Sequence, residues 1–589
     1  MKEFIKITLA TLTAMLIAGF IFFIYGISSL ISNISSDNVS ASIKSNSVFV
    51  LDLKGNVVER HQASPIDELL GEEVTTIGLD DIIASIQKAK LNENIRGIHI
   101  NAEIFTCAPA SMQEIRKALA DFKESGKFVT AYSGSYTQGT YYVSSIADQI
   151  AINPSGNISW HGLSAQTIFF KDLLDKLGIN MQIFKVGTYK SAVEPFINTS
   201  MSEANKEQTQ LYINSIWQQI LSDVSQSRNI PIEELNRLAD ENLDFRQARF
   251  YIDHKMADTL MYKDQMLSML KRMTGISEDN KLNAVYLKDM MKQSDIQMST
   301  GKNQIAVYYA FGEINDGSPN TYNSDGILSE KVIMDLKSLR ENKNIKAVVL
   351  RVNSPGGSAY ASEQIWREVT LLKEKKPVIV SMGDYAASGG YYISCAADWI
   401  FAEPTTLTGS IGIFGMIPDA SRLVKDKLGI SFDGVKTNAL ADMGNMGRPF
   451  NHEERALIQQ MINQGYELFV KRCANGRNMP VEAIKKIAEG RVWTGKSAQE
   501  IHLVDELGGL KEAIEKAAER ADIDSYSVKS YPEDEDILFK IIGAVKPERY
   551  INSTLQGTFG EYYQGFKFLQ NISQKDHIQA RIPYILSIN

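Results

Sequence analysis

The feature that most limits how this chain can fold is its repetition. Asn94-Ile95-Arg96-Gly97-Ile98-His99-Ile100 returns 250 residues later as Asn344-Ile345-Lys346-Ala347-Val348-Val349-Leu350. At the same offset, Gly139-Thr140-Tyr141-Tyr142-Val143-Ser144 matches Gly389-Gly390-Tyr391-Tyr392-Ile393-Ser394. Asp175-Lys176-Leu177-Gly178-Ile179 recurs as Asp426-Lys427-Leu428-Gly429-Ile430 at an offset of 251. Solenoid periods run to roughly 20–50 residues. A period five times longer, with few insertions, means two whole domains, and 589 residues exceed what one core supports.

Inside each unit, short Val/Ile-rich runs alternate with amphipathic ones. In the second unit 305–309 reads as strand, 328–341 as helix, 345–352 as strand, 361–373 as helix and 377–382 as strand. That alternation predicts an α/β fold with parallel sheets and crossover helices. Ahead of the repeats, residues 7–31 carry no charge and follow Lys2 and Lys6. Such a stretch is long enough to span a bilayer and too long for an ordinary signal-peptide core. The flanking lysines orient the N-terminus to the cytoplasm and the repeats to the far side of the membrane. The expected organisation is a cytoplasmic tip and anchor over 1–32, a tether over 33–46, a first repeat over 47–291, a linker over 292–304, a second repeat over 305–522 and a C-terminal arm over 523–589.

Composition removes several function classes. A net charge of −8 without a basic stripe speaks against nucleic acid. Cys107, Cys395 and Cys473 are odd in number and far apart, which gives no disulfide framework and no C-x-x-C pattern. Seven scattered histidines contain no H-E-x-x-H. Neither a metal nor a cofactor is expected.

The chemistry lies where the two units differ. In Gly383-Asp384-Tyr385-Ala386-Ala387-Ser388-Gly389-Gly390 an apolar strand turns sharply into a helix. Ser388 there is either the helix cap or an exposed nucleophile. It aligns with Gln138 of the first unit, and Asn353-Ser354-Pro355-Gly356-Gly357-Ser358 aligns with Glu103-Ile104-Phe105-Thr106-Cys107-Ala108. A residue required by the fold tends to persist in both copies, whereas one kept in a single copy is free to be functional. A serine nucleophile needs a base, and no histidine falls near these motifs. Lys190 sits among Tyr189, Ala192, Val193 and Phe196 in the first unit. It is either a snorkelling surface lysine or one desolvated enough to lose its proton. Backbone N–H groups of Gly357 and Gly389 can form an oxyanion hole. Ser410 in Thr408-Gly409-Ser410-Ile411-Gly412 aligns with Trp160 and can hydrogen-bond the lysine amine.

Five separated stretches, in order, resemble the signal peptide peptidase A family of membrane-anchored serine peptidases in its long, tandem-domain form. They are Gly187-Thr188-Tyr189-Lys190-Ser191, Asn353-Ser354-Pro355-Gly356-Gly357-Ser358, Ala386-Ala387-Ser388-Gly389-Gly390, Leu407-Thr408-Gly409-Ser410-Ile411-Gly412, and Arg491-Val492-Trp493-Thr494-Gly495 with Gly508-Gly509. The likeness covers about residues 1–520, and His502 departs from it where relatives usually carry glycine. The resemblance implies Ser388 as nucleophile, Lys190 as general base, Ser410 orienting the lysine, and Gly357 and Gly389 as the oxyanion hole. It implies two tandem Clp-protease/crotonase-like domains of repeated ββα units, the first supplying the lysine and the second the serine. It further implies a bowl-shaped homotetramer and, as substrates, cleaved signal peptides and other apolar peptides in the membrane. Two other readings compete: a crotonase-like acyl-CoA enzyme, which needs neither Lys190 nor an anchor, and a non-catalytic oligomeric scaffold, which has no reason to keep the full Ser/Lys/Gly-Gly set.

Overall fold

A computed structural model describes residues 43–61, 76–293, 303–317, 326–533 and 578–582, with scattered positions between 6 and 18. Most of the expected anchor over 7–31 lies outside the described residues, as do most of the tether and residues 534–577 and 583–589 of the C-terminal arm. Among the described residues no helix is long and apolar enough to cross a membrane.

Each unit is built on its own sheet. The first runs, edge to edge, through Thr76–Gly78, Ser47–Val58, Ile95–Thr106, Phe128–Tyr136, Gln149–Ile158 and Thr259–Leu260, all parallel. The second runs through Val492–Thr494, Leu407–Gly409, Val378–Ala387, Ile345–Ser354, Gln304–Phe311 and Ser527–Tyr531, parallel except at the Val492–Thr494 edge. Parallel strands covered by helices on both faces must be apolar throughout. The central strands obey: Ala347, Val348, Val349 and Leu350 are all buried, as are Ile98, His99 and Ile100 opposite them in the repeat. His99 is the polar one among these seven, and desolvation pulls its pKa down to about 4, so it stays neutral.

The repeat offset carries into the helices. Leu79–Leu91 corresponds to Ser329–Glu341, and Pro109–Lys123 to Ala359–Lys373, offset by 250 at both ends. Two boundaries differ from the sequence expectation. Strand Gln304–Phe311 starts one residue inside the stretch assigned to the linker. Ser527–Tyr531, assigned to the C-terminal arm, is an edge strand of the second sheet beside Gln304–Phe311. It lies just past a polar loop, and an edge strand with one neighbour needs little apolar pattern, so its sequence does not announce it.

A third, smaller sheet joins the units. Its order is Ile327–Leu328, Ile314–Asn315, Gly356–Ser358, Ile578–Arg581, Phe414–Asp419 and Asn180–Lys185. Asn180–Lys185 belongs to the first unit and pairs antiparallel with Phe414–Asp419 of the second. The chain leaves this strand at Lys185 and reaches Lys190 five residues later, already across the boundary.

Buried charge also holds the units together. Arg351, on a central strand of the second sheet, is 1% exposed. Its guanidinium donates to Glu59 at 2.5 Å and Glu114 at 2.5 Å, both in the first unit, and to Ser381 Oγ at 2.9 Å. Nearby, Asp384 accepts hydrogen bonds from the Ser111 backbone and hydroxyl at 2.8 and 2.7 Å. Breaking a buried ion pair on one side leaves uncompensated charge, at a cost of about 3–5 kcal/mol. Arg351→Met strands two buried carboxylates. It is expected to destabilise the chain by about that amount, seen as a lowered urea midpoint, while Glu59→Gln with Glu114→Gln in the same chain restores part of the loss.

Candidate active site

Strand Val378–Ala387 ends directly before Ser388, and helix Gly389–Ser394 begins directly after it. Ser388 makes the turn at φ 57°, ψ −110°, a conformation that costs a non-glycine residue of order 1–3 kcal/mol. It stands at the helix N-cap, yet its side chain accepts no capping hydrogen bond. The capping alternative is therefore excluded by geometry: the hydroxyl points elsewhere. The Ser388 N–H donates to Gly409 O at 2.8 Å, which fixes the turn against the next strand.

The hydroxyl points at Lys190. Lys190 Nζ lies 2.8 Å from Ser388 Oγ, 3.1 Å from Ser410 Oγ and 3.2 Å from Ser410 O. Lys190 and Ser410 are 1% exposed and Ser388 is fully buried. The snorkelling alternative for Lys190 fails on that burial. Desolvation alone pulls its ammonium well below the ordinary lysine range. The partners suit a neutral amine, which has two N–H groups and one lone pair. Ser410 O and Ser410 Oγ take the two N–H groups, and the lone pair is left for the Ser388 hydroxyl proton. The Ser410 hydroxyl donates onward to Gly490 O at 3.2 Å, which turns its own lone pairs towards the lysine.

Close packing holds the lysine in place. A Cβ on Gly490 would lie 2.7 Å from Lys190 Cα and 2.8 Å from its Cδ, and a Cβ on Gly412 would lie 3.4 Å from Cδ. Tyr189 N–H donates to Glu489 O at 3.0 Å, latching the first-unit segment onto the second unit. Glu194 then accepts hydrogen bonds from the Ser202 and Asn205 side chains and holds the start of helix Glu203–Arg228 behind it. Gly412 was named only as a member of a matched stretch, and Gly490 was not singled out by the sequence. The one signal for Gly490 is adjacency to the matched stretch that starts at Arg491, since a glycine needed for close approach looks like any other glycine in a linear sequence.

Gly357 and Gly389 line a slot. Gly356–Ser358 forms one wall and Phe414–Asp419 the other, and the extended segment Ile578–Arg581 lies antiparallel between them. Both walls thus hold an extended segment by strand pairing on its two edges at once, the geometry by which a sheet edge takes up a peptide backbone. Gly389 follows Ser388 and sits beside Gly356: a Cβ on Gly389 would come 3.2 Å from Gly356 Cα and 2.7 Å from Ser362 Oγ. Only glycine fits there.

The first unit shows what became of the equivalent position. Gln138 is buried where the second unit has Ser388, and its side-chain oxygen accepts from His161 N at 2.9 Å and Gly162 N at 3.0 Å. Trp160, in place of Ser410, is buried and donates to Leu235 O at 2.8 Å. Those buried side chains satisfy their own polar groups within the first unit. His502 adopts φ 63°, the left-handed region that favours glycine. Among the described residues no cluster of side chains could hold a metal ion.

A serine and a buried amine meeting beside a strand-binding slot define a class, the hydrolases that attack an acyl carbon through a hydroxyl. The model of peptidase family S49 matches residues 121–277 and 370–524, one copy in each unit and more than half of the chain together. The Clp protease model matches 321–405. The chain is 37% identical over 513 residues to Protease 4 of Salmonella typhi, covering 84% of this chain and 82% of that protein. It is 36% identical over 519 residues to Protease 4 of Haemophilus influenzae, covering 85% and 83%. It is 32% identical over 485 residues to the chloroplastic serine protease SPPA of Arabidopsis thaliana, covering 82% and 70%. The chain belongs to peptidase family S49, in its long tandem-domain form, and is a serine peptidase that hydrolyses peptide bonds.

Proposed function

We propose that this peptidase is a membrane-anchored endopeptidase in which Ser388 is the nucleophile and Lys190 the general base, and that it degrades cleaved signal peptides and other apolar peptides. The observation that carries the reading is the 2.8 Å contact between Lys190 Nζ and Ser388 Oγ inside a site closed to solvent. Neutral Lys190 takes the Ser388 proton as Oγ adds to the substrate carbonyl. The Gly357 and Gly389 N–H groups receive the developing oxyanion, each donor of this kind being worth roughly 10²–10³ in rate. Lys190 returns the proton to the leaving amine, and water releases the acyl group by the same steps in reverse order. Ser410 holds the lysine so that its lone pair faces the nucleophile.

The uncharged stretch 7–31 supports the anchoring, with residues 1–6 cytoplasmic and the repeats on the extracytoplasmic side of the inner membrane. Domains 47–291 and 305–522 serve as lysine and serine donors, joined through 292–304. Four chains assemble into a bowl that encloses the sites, so that peptides leaving the bilayer enter and folded proteins do not. The test uses full-length chain in liposomes with a fluorescent signal-peptide fragment embedded in the same bilayer. Cleavage is expected with wild type and not with Ser388→Ala. Cleavage of water-soluble peptides with none of the embedded fragment overturns the substrate assignment.

A further inference from the structure

The lysine segment crosses to the second unit with little regular structure of its own. Strand Asn180–Lys185 ends five residues before Lys190, and the next helical turn starts only at Ser191. The stretch from Glu489 to Trp493 of the second unit holds the crossing. Thr188 N–H donates to the Glu489 carboxylate at 3.3 Å. Gly187, at φ 101°, approaches so closely that a Cβ there would lie 2.4 Å from Glu489 O. Gly490 N–H donates to Ile411 O at 2.9 Å, and Ser410 N–H donates to Arg491 O at 2.7 Å. Ser410, whose hydroxyl also reaches Gly490 O, is thus gripped at both its N–H and its side chain. One short stretch touches both things that set the lysine amine: its own segment and Ser410.

Arg491 closes that stretch on the solvent side. Its guanidinium carbon lies 4.7 Å from the ring centroid of Tyr189, the neighbour of Lys190, and 4.6 Å from that of Trp493. A cation between two aromatic faces is attracted to both. Glu207, on helix Glu203–Arg228, pairs with the guanidinium at 3.2 Å and accepts from the Tyr189 hydroxyl at 3.4 Å. Gln208 beside it donates to Tyr189 O at 3.1 Å and accepts from Val492 N–H at 3.2 Å. Trp493 reaches the serine's side: a Cβ on Gly409 would stand 2.8 Å from its indole, and Gly409 O is the acceptor for Ser388 N–H. Tyr189 and Glu207 belong to the first unit, Arg491 and Trp493 to the second, so the stack is a clasp across the boundary. The first unit has no counterpart. Helix Gly495–Glu500 corresponds to Ala248–Asp253, offset by 247 at both ends, and at that offset Arg491 matches Asp244 and Trp493 matches Arg246. Like Ser388, the clasp is specific to one copy.

We propose that Arg491 is a positioning residue of the reaction: stacked between Tyr189 and Trp493 and tied to Glu207, it clasps the lysine segment to the second unit and keeps water from the Lys190 amine. This rests on the Ser388/Lys190 reading above. The charged and titratable groups that face the segment are Tyr189 and Glu207 from the first unit, Glu489 and Arg491 from the covering stretch, and Tyr466 and Lys485 from the helices His452–Gly476 and Val481–Ile487. Among the described residues, Lys190 Nζ hydrogen-bonds to Ser388 and Ser410 and to none of these six. Burial, not a neighbouring cation, is what disfavours the ammonium. An amine kept neutral by dryness depends on its cover. Loosening the clasp readmits water, restores the ammonium, and lowers the fraction of chains in which Lys190 can take the Ser388 proton.

The pH dependence of kcat/KM on an apolar peptide ester, measured with the full chain, tests this. In wild type the rate rises with pH to a plateau as Lys190 loses its proton. Arg491→Ala is expected to move the midpoint of that rise up by at least about one unit, towards the value of about 10.4 for an exposed lysine, and to leave the plateau within about threefold of wild type. Below the midpoint the same shift reads as a loss of about tenfold. Arg491→Lys, which keeps a cation over the rings, is expected to recover most of the shift. Glu207→Gln changes a half-exposed side chain and removes the tie to the guanidinium. It is expected to move the midpoint the same way by a smaller amount, and it decides the matter if Arg491→Ala does not fold: an unmoved midpoint there overturns the proposal. A rate lowered evenly at every pH in Arg491→Ala, with the midpoint unmoved, makes the clasp a structural contact alone and overturns it, as does an unchanged profile. A rise that persists at full rate in Lys190→Met means instead that the dyad reading itself is wrong.

Discussion

Ser388→Ala is expected to lower kcat/KM on an apolar peptide ester by about 10⁴-fold or more, with the fold unchanged. Removing a serine nucleophile leaves only what the oxyanion hole and substrate binding contribute. The change deletes one hydroxyl whose hydrogen bonds run to Lys190 and, at 3.4 Å, to Gly412 O. Alanine retains the Cβ, so the strand-to-helix turn keeps its shape. The φ of 57° already disfavours any side chain, and alanine adds no new strain there. Circular dichroism and urea midpoint should therefore match wild type within about 1 kcal/mol while turnover disappears. A variant that loses activity and stability together would point to a structural role for the serine.

Lys190→Met is the second large effect, a loss of about 10³-fold, in the range for a general base. Methionine keeps the unbranched stem that packs against Gly490 and Gly412 and removes only the amine. Lys190→Arg should not rescue, because a guanidinium does not give up its proton in the working pH range. The pH profile supplies the sign. Burial disfavours the ammonium, so the folded pKa of Lys190 lies well below its ordinary value. Activity needs the neutral amine. It should rise with pH through that lowered pKa and reach a plateau before about pH 10.4, where an exposed lysine would only begin to lose its proton. A rate that keeps climbing through pH 10.4 would mean that Lys190 is not desolvated when it acts.

Much of this site was legible because the chain contains its own comparison. Without an alignment, one serine at a strand–helix turn is ambiguous, but Gln138 at the matching place marks Ser388 as unit-specific. The parallel sheets were legible from apolar runs such as Ala347 to Leu350, because burial on both faces leaves no polar alternation to confuse the reading. The meeting of Lys190 with Ser388 is 198 residues apart in sequence and rests on the pairing of Asn180–Lys185 with Phe414–Asp419. Neither strand declares its partner, since register between distant strands is set by tertiary packing. Gly490 stayed hidden for a related reason: its role is to leave space for a residue 300 positions away. Ile578–Arg581 was equally silent. Four residues held by backbone hydrogen bonds in a slot need no periodic pattern, and their meaning comes from the walls around them.

The central claim is that one site is assembled from a lysine of the first unit and a serine of the second. Its most direct test is labelling with an alkyl fluorophosphonate, which phosphonylates only an activated serine hydroxyl, followed by intact mass and peptide mapping. The chain with residues 578–589 removed keeps the slot open to the reagent. One adduct per chain on Ser388 is expected, with labelling at least about 10²-fold slower in Lys190→Met. An adduct on another serine, or labelling of Ser388 at the same rate without Lys190, would contradict the split dyad.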